Sequence, residues 1–449
     1  MNASKKHLLL IFGIALFLRC ILFGVVLWSG VEVSLTTDGT GYLQLAENII
    51  EHSTFSRTAG GETLVSDSNR TPTYPVFIAL FQLLGGGITW VLIAQILVGS
   101  LSCVFTSKIA TQLFPNNGFA WLSGLLLAID VPSIVSTNLV LTETLFTFLI
   151  LLSFYLIFRK EKPSTLLFAI AGLLFGASAL CRPIGILLPF VLLGFGQKLG
   201  WKNTTTLCIA IALAVTPWFI RNTVVFGRPF SSTISEINLL LHTGASIRSE
   251  REQKSTLEVQ QEIMLELEKA HKWQGNESDI IPFMDYCRAE GWKEIQKSPL
   301  IFAKQSLVAF VSFLVKPERG FIKQLTGANP SHNNALTGRS KMDSNGMLNR
   351  FFQESNRVTL TLVFVQLLVH LFVLICCWFG LLYLWKNRDW SVLLLFTIII
   401  YFGLGASITE VSARFRVPAM PFVCLISIVG LPLLLKKYSD VRKWANLEN

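Results

Sequence analysis

Long apolar runs joined by short polar connections set the pattern of this chain. Runs near 8–28, 88–110, 118–137, 140–158, 164–181, 184–199, 204–220, 358–385, 391–407 and 416–435 approach or reach the roughly 20 residues that carry a helix across a bilayer, which predicts about ten spans. Two further apolar stretches, 74–86 and 300–315, are short, and the second carries Lys304 near its middle. Both read as interfacial or re-entrant helices. Over 250–273 the pattern changes to Glu, Lys and Gln around Leu257, Ile263, Leu265 and Leu267, which predicts an amphipathic surface helix. The stretch 326–347, rich in Gly and Asn, reads as loop.

Parity turns this pattern into a topology. With ten crossings, the clusters Lys5-Lys6, Arg159-Lys160-Lys162, Lys198-Lys202, Lys386-Arg388 and Lys436-Lys437 all fall on one side, as the excess of basic residues on cytoplasmic flanks requires. Residues 29–87 and 221–357 then face the opposite compartment, and both termini are cytoplasmic. The reading is an all-α polytopic membrane protein with three parts: a seven-helix module over 1–220 with an external loop at 29–87, an external (periplasmic) insertion over 221–357 with an interfacial helix, and a three-helix C-terminal part over 358–449. The first apolar run is too long for a secretory signal, and no small-residue cleavage site follows it.

Composition supports the membrane class. Hydrophobic residues make up 52% of 449 and charged residues only 15%, and mean hydropathy is +0.54, values outside the range of soluble domains. The net charge of +10 is largely absorbed by the cytoplasmic clusters, so it argues for no nucleic-acid partner. Seven of the eight cysteines lie in apolar segments, with no disulfide framework and no zinc-ligand spacing. No Gly-rich phosphate loop joins a strand to a helix, so any activated substrate must come from the membrane.

The candidate chemistry sits at span ends. Asp38 lies between Thr37 and Gly39, with Gly41 beyond. Small neighbours let its carboxylate face a ligand, and equally it can cap the helix that follows. Arg70 opens Arg70-Thr71-Pro72-Thr73-Tyr74-Pro75, where two prolines fix the chain's direction into 76–84. A guanidinium there can hold an anionic headgroup or snorkel to the interface. Glu143 starts an apolar segment, where it can bind substrate, join Asp38 around a divalent cation, or simply answer the helix dipole. Asp130 is equally ambiguous. Arg182, Arg221, Arg414 and Arg416 fall on the face where positive charge is normally depleted, which calls for an anionic ligand or for carboxylate partners such as Glu410. His242 reads as structural.

Five blocks recur in order: Asp38-Gly39-Thr40-Gly41-Tyr42, Arg70-Thr71-Pro72-Thr73-Tyr74-Pro75, Leu141-Thr142-Glu143-Thr144-Leu145-Phe146, Pro217-Trp218-Phe219-Ile220-Arg221-Asn222, and Arg414-Phe415-Arg416-Val417-Pro418. Together they resemble the integral-membrane, lipid-phosphate-sugar-dependent glycosyltransferases of the GT-C type, the clan of protein O-mannosyltransferases and bacterial aminoarabinose transferases. The resemblance implies a seven-span module whose first external loop carries the catalytic acid, here Asp38. Gly39 stands where many members have a second acid, which resembles the single-acid bacterial branch.

These readings converge on an enzyme of the bacterial inner membrane, with its site facing the periplasm or exterior, that moves a sugar from a polyprenyl-phosphate-linked donor to a hydroxyl of a lipid, glycan or protein with inversion. Asp38 is the expected base, and Arg70, Tyr74, Glu143, Arg182, Arg221, Asn222, Arg414 and Arg416 are the expected substrate-binding residues. Glycosidases that expel an alcohol need a second carboxyl as acid, whereas a phosphate leaves as an anion and needs cations. A divalent metal held by Asp38 and Glu143 is left open. The rivals are a polysaccharide polymerase or ligase, and a lipid-linked saccharide transporter, which calls for broken mid-membrane helices and inverted repeats.

Overall fold

A computed structural model describes residues 3–58, 63–159, 164–193, 200–269, 276–325, 357–407 and 412–445. The expected loop at 326–347 and the expected partner Glu410 lie outside them. The described chain is helical, with one isolated bridge between Ser56 and Ser66. It is an integral, multi-pass membrane protein.

Among the described residues, four helices have the length and apolar content to cross a bilayer: Lys5–Ser29, Gly87–Leu113, Trp201–Phe226 and Leu360–Lys386. Shorter apolar helices, Thr73–Leu83, Glu143–Ile157, Thr165–Ala179, Leu393–Ser407 and Met420–Leu435, pack among them. Outward positions such as Phe17, Leu213 and Phe364 are large, apolar and exposed, which suits hydrocarbon rather than water. Inward faces use small residues to bring backbones together. A Cβ on Gly430 would lie 1.9 Å from the Cys376 carbonyl oxygen, so the Arg357–Lys386 and Met420–Ala445 helices touch backbone to backbone there.

Three expectations need correction. The apolar run 118–137 is not one continuous helix but two, Leu122–Ala128 and Val131–Thr137. Asp130 makes the break: its carboxylate accepts from Ser133 N at 3.1 Å and Ser133 Oγ at 2.6 Å, restarting the chain as an N-cap with Pro132 in the first turn. Of the run 184–199, residues 194–199 lie outside the described residues, and the rest begins as a 3-10 turn over Pro183–Leu187 and continues as the helix Leu188–Leu193. The amphipathic stretch from 250 is likewise two helices, Ala245–Glu252 and Thr256–Lys269. Gln253 adopts a left-handed φ of 59° between them. Ser255 and Glu258 then form a reciprocal capping box, with Glu258 N to Ser255 Oγ and Ser255 N to Glu258 Oε2 both at 3.1 Å.

The two short apolar stretches form the helices Thr73–Leu83 and Pro299–Val315. Thr73–Leu83 buries Tyr74, Pro75, Ile78 and Ala79. Pro299–Val315 meets the helix before it at 100° and packs beside Trp390–Ser407, where Phe310 lies over Gly403. Residues after 221 clasp the segment 29–87 at several points. Gln324 donates to the carbonyls of Val33 and Leu35, each at 2.8 Å. Thr233 N bonds Ser68 O at 3.0 Å, and Ser232 Oγ donates to Asn69 O at 2.6 Å. The segments on either side of Asp38 and Arg70 are therefore held from outside the bundle.

Candidate active site

Asp38 lies in the first turn of the helix Thr37–His52, but it is not the cap. Thr36 fills that role, its Oγ1 accepting from Gly39 N at 3.0 Å. The Asp38 carboxylate is free to look outward to arginines. Gly39 is needed for a different reason: a Cβ there would lie 2.9 Å from the Val140 carbonyl oxygen, so only glycine lets the 139–142 segment approach. That segment is itself pinned by Val140 N to Ser34 O at 3.0 Å and leads directly into Glu143, the first residue of the helix Glu143–Ile157.

Arg70 is aimed by Asp67. Asp67 Oδ1 accepts from Asn69 N at 2.8 Å and from Arg70 N at 2.7 Å, while its Oδ2 pairs with Arg57. This turn sends the Arg70 side chain over the Tyr42 ring, 5.1 Å from its centroid, to Asp38. Thr73 N bonds Leu180 O at 3.0 Å, tying the same loop to the turn that carries Arg182. Arg414, on the 3-10 turn Ala413–Arg416, reaches the site from the far end of the chain, its guanidinium 5.0 Å from the centre of the Phe415 ring.

The result is a chain of alternating charges. Arg70 Nη2 donates to Asp38 Oδ1 at 2.5 Å, and Arg414 Nη1 donates to Asp38 Oδ2 at 3.0 Å. Arg414 Nε lies 3.8 Å from Glu143 Oε1, which is 2.5 Å from Arg182 Nη1. Arg182 Nη1 also donates to Thr142 Oγ1 at 3.0 Å. The two acids differ in access: the Glu143 side chain is 1% exposed and that of Asp38 is 28% exposed. Glu143 is sealed among cations, and Asp38 is the acid a ligand can reach. Burial alone pushes the Asp38 carboxyl up, but Arg414 and Arg70 outweigh it and hold the group down at about 2.

The other expected site residues go elsewhere. Arg221 donates to the carbonyls of Asp67 at 2.9 Å and Phe55 at 3.4 Å, and Asn222 donates to Phe230 O at 2.8 Å. Both fasten the external loop and the start of the insertion rather than touching Asp38. Their helix ends beside Phe55 and Asp67, so the cation meets these backbone oxygens before it meets the carboxylates. Arg416, 1% exposed, donates through Nη1 to the carbonyls of Phe313, Leu314 and Lys316 at 2.9–3.1 Å, capping the C-terminus of Pro299–Val315. Tyr74 is buried, and its hydroxyl donates to Gln95 Oε1 at 2.7 Å. It serves the site indirectly, as an edge-on neighbour of the Tyr42 ring under Arg70. The sequence reading missed Tyr42 and Asp67. Asp67-Ser68-Asn69 ahead of Arg70 was an available turn signal.

A cation shared by Asp38 and Glu143 does not fit this donor set. Arg414 stands between the two carboxylates, and three guanidiniums surround them. Among the described residues no group of three His, Cys, Asp or Glu side chains could hold a metal ion.

The whole chain superposes on the oligosaccharyltransferase of Archaeoglobus fulgidus with a TM-score of 0.50 and 11% identity, covering 100% of this chain and 52% of that one. The fold is GT-C. A second structure of that archaeal GT-C enzyme, AglB in complex with an inhibitory peptide and a dolichol-phosphate, aligns at 16% identity over 99% of this chain and 52% of that one, with a TM-score of 0.50. The chain thus spans about half the length of these archaeal proteins. ArnT from Cupriavidus metallidurans bound to undecaprenyl phosphate aligns at 11% identity over 96% of this chain and 77% of that one, with a TM-score of 0.41. In sequence, residues 69–220 match the family described as dolichyl-phosphate-mannose-protein mannosyltransferase, a GT-C family, and that stretch includes Arg70, Glu143 and Arg182. No curated protein matches the chain.

Proposed function

We propose that this protein is an inverting glycosyltransferase that takes a sugar from a polyprenyl-phosphate-linked donor and joins it to an acceptor hydroxyl. The observation that carries the reading is the Asp38 carboxylate, reachable and flanked by Arg70 and Arg414. The matched family and the GT-C fold support the same class of donor. The five charged residues of the cluster sit at or beside helix ends rather than in mid-helix, which argues against a mid-membrane transport site.

In the proposed reaction the acceptor oxygen attacks the anomeric carbon as the bond from that carbon to the phosphate oxygen breaks. The acceptor proton passes to Asp38, and the bonding electron pair leaves with the polyprenyl phosphate. No acid is required for the leaving group, because Arg70 and Arg414 stabilise the charge that develops on it. Glu143 holds Arg182 and steadies Arg414 from behind, a positioning role set by its burial. The lipid tail of the donor lies in the bilayer, and the site opens to the face opposite the Lys- and Arg-rich helix ends, which in a bacterial inner membrane is the periplasm.

The test is direct. Purified protein in nanodiscs, given a panel of polyprenyl-phosphate sugars and cell-envelope acceptors, should release polyprenyl phosphate in step with glycosylated product. Glycan mass spectrometry of a deletion strain then names the missing sugar. Absence of any donor turnover across the panel, with an unaltered envelope in the deletion strain, would refute the reading.

A further inference from the structure

Resting on the function proposed above, a second role for Asp38 follows from what its oxygens touch. Both are engaged by the guanidiniums assigned to the donor phosphate: Oδ1 by Arg70 Nη2 at 2.5 Å and Oδ2 by Arg414 Nη1 at 3.0 Å. A carboxylate held this way keeps a free lone pair on each oxygen, but the two adjacent positive charges make it a weak base for an acceptor proton. A phosphate that uses the same cations must take them from Asp38.

Three features mark this pairing as exchangeable. Arg70 meets Asp38 through one nitrogen, and its buried Nε has no hydrogen-bond partner. A guanidinium fork is best used by an oxyanion that spans two nitrogens, so a phosphate lying across Nε and Nη2 satisfies an atom that Asp38 leaves bare. Cations also outnumber acids locally. Within the cluster three arginines face Asp38 and Glu143. Glu318 beside Arg414 and Asp67 beside Arg70 are matched by Lys316, Arg416 and Arg57. Finally, the sealed pair is Glu143 with Arg182, whereas Asp38 is the partly exposed member and gives way at least cost.

We infer that Asp38 competes with the donor for Arg70 and Arg414, so that the arriving phosphodiester itself releases the base. The phosphodiester occupies Arg70 Nε and Nη2 and draws Arg414 off Oδ2. Asp38 then loses both of its cations beside a new negative charge and becomes a stronger proton acceptor at the moment an acceptor hydroxyl is needed. Before the donor is seated, water meets only a tied carboxylate.

The experiment measures affinity for the methyl diester of polyprenyl phosphate, which carries the donor's phosphodiester and no transferable sugar, by calorimetry in nanodiscs. Removing a competitor tightens binding, so Asp38→Asn should bind the diester at least about tenfold more tightly than wild type, the scale of a close charge pair. In an Arg70→Ala background the same substitution should give a smaller gain, because one contested cation is gone. Asp38→Ser reads the same quantity should the asparagine variant fail to fold. Unchanged or weaker binding by either variant, shown to be folded at the assay temperature by a cooperative melt, overturns the inference while leaving the transferase reading intact. Failure of wild type and variants alike to bind the diester overturns the transferase reading, and this inference with it.

Discussion

Replacing Glu143 with glutamine should destabilise the protein by about 3 kcal/mol while sparing the chemistry of each folded molecule. Glutamine keeps the shape and removes the charge from a side chain that is 1% exposed and 2.5 Å from Arg182 Nη1. With charge centres about 4 Å apart and an effective dielectric of about 20, the lost attraction is on the order of 4 kcal/mol. Arg182 is 18% exposed, so water recovers part of that, and about 3 kcal/mol remains, the low end for breaking a buried pair. Arg182→Met should cost about as much, since it leaves Glu143 with only the longer contact to Arg414. The double variant should be more stable than the sum of the two by about 2–3 kcal/mol, because neither charge is then left alone. Thermal or denaturant unfolding in a fixed lipid environment reads all four corners of the cycle. Additive effects, within about 0.5 kcal/mol, would refute the reasoning. So would a loss of more than about a hundredfold in turnover for a folded Glu143→Gln protein, the signature of an acid acting on substrate.

Other consequences follow from the same contacts. Arg221→Ala removes the donors to the carbonyls of Asp67 and Phe55. It should cost about 1–3 kcal/mol and make residues 55–67 more open to limited proteolysis, with donor affinity per folded molecule unchanged. Acid should erode the contribution of Asp38. Its folded value of about 2 lies below the ordinary 3.8, so its stabilisation, on the order of 2 kcal/mol, is full above about pH 5 and disappears as pH falls through about 2. The stability gap between wild type and Asp38→Asn should therefore narrow on acidification, and a widening gap contradicts the pairing. Chelators should leave transfer unaffected, because Arg414 bridges the two carboxylates. Activity restored by a divalent cation after chelation would mean that Arg414 moves out during turnover.

Helical class and membrane character are readable from the apolar runs, and Asp38, Arg70, Glu143, Arg182 and Arg414 all stand out in the sequence as charged residues at span ends. What the pattern left out was direction. Arg414 and Arg416 are two residues apart on one 3-10 turn, yet one meets Asp38 and the other caps the helix Pro299–Val315. Hydropathy locates a residue along the bilayer normal but does not fix its rotation about the local axis. Arg221 shows the same limit in distance: the carbonyl oxygens of Phe55 and Asp67 intercept it before it reaches Asp38. The break at Asp130 was disguised because flanking apolar residues kept the average hydropathy high, while one carboxylate and a proline decided the local geometry. The cap assigned to Asp38 as an alternative belonged to Thr36, two positions earlier.

The most direct measurement of the central claim is single-turnover sugar transfer by wild type and Asp38→Asn, with a saturating polyprenyl-phosphate sugar and acceptor and with donor occupancy measured in the same samples. The account predicts that the variant retains bound donor and transfers about 10²–10⁴-fold more slowly. Transfer at the wild-type rate by the donor-loaded variant would contradict it.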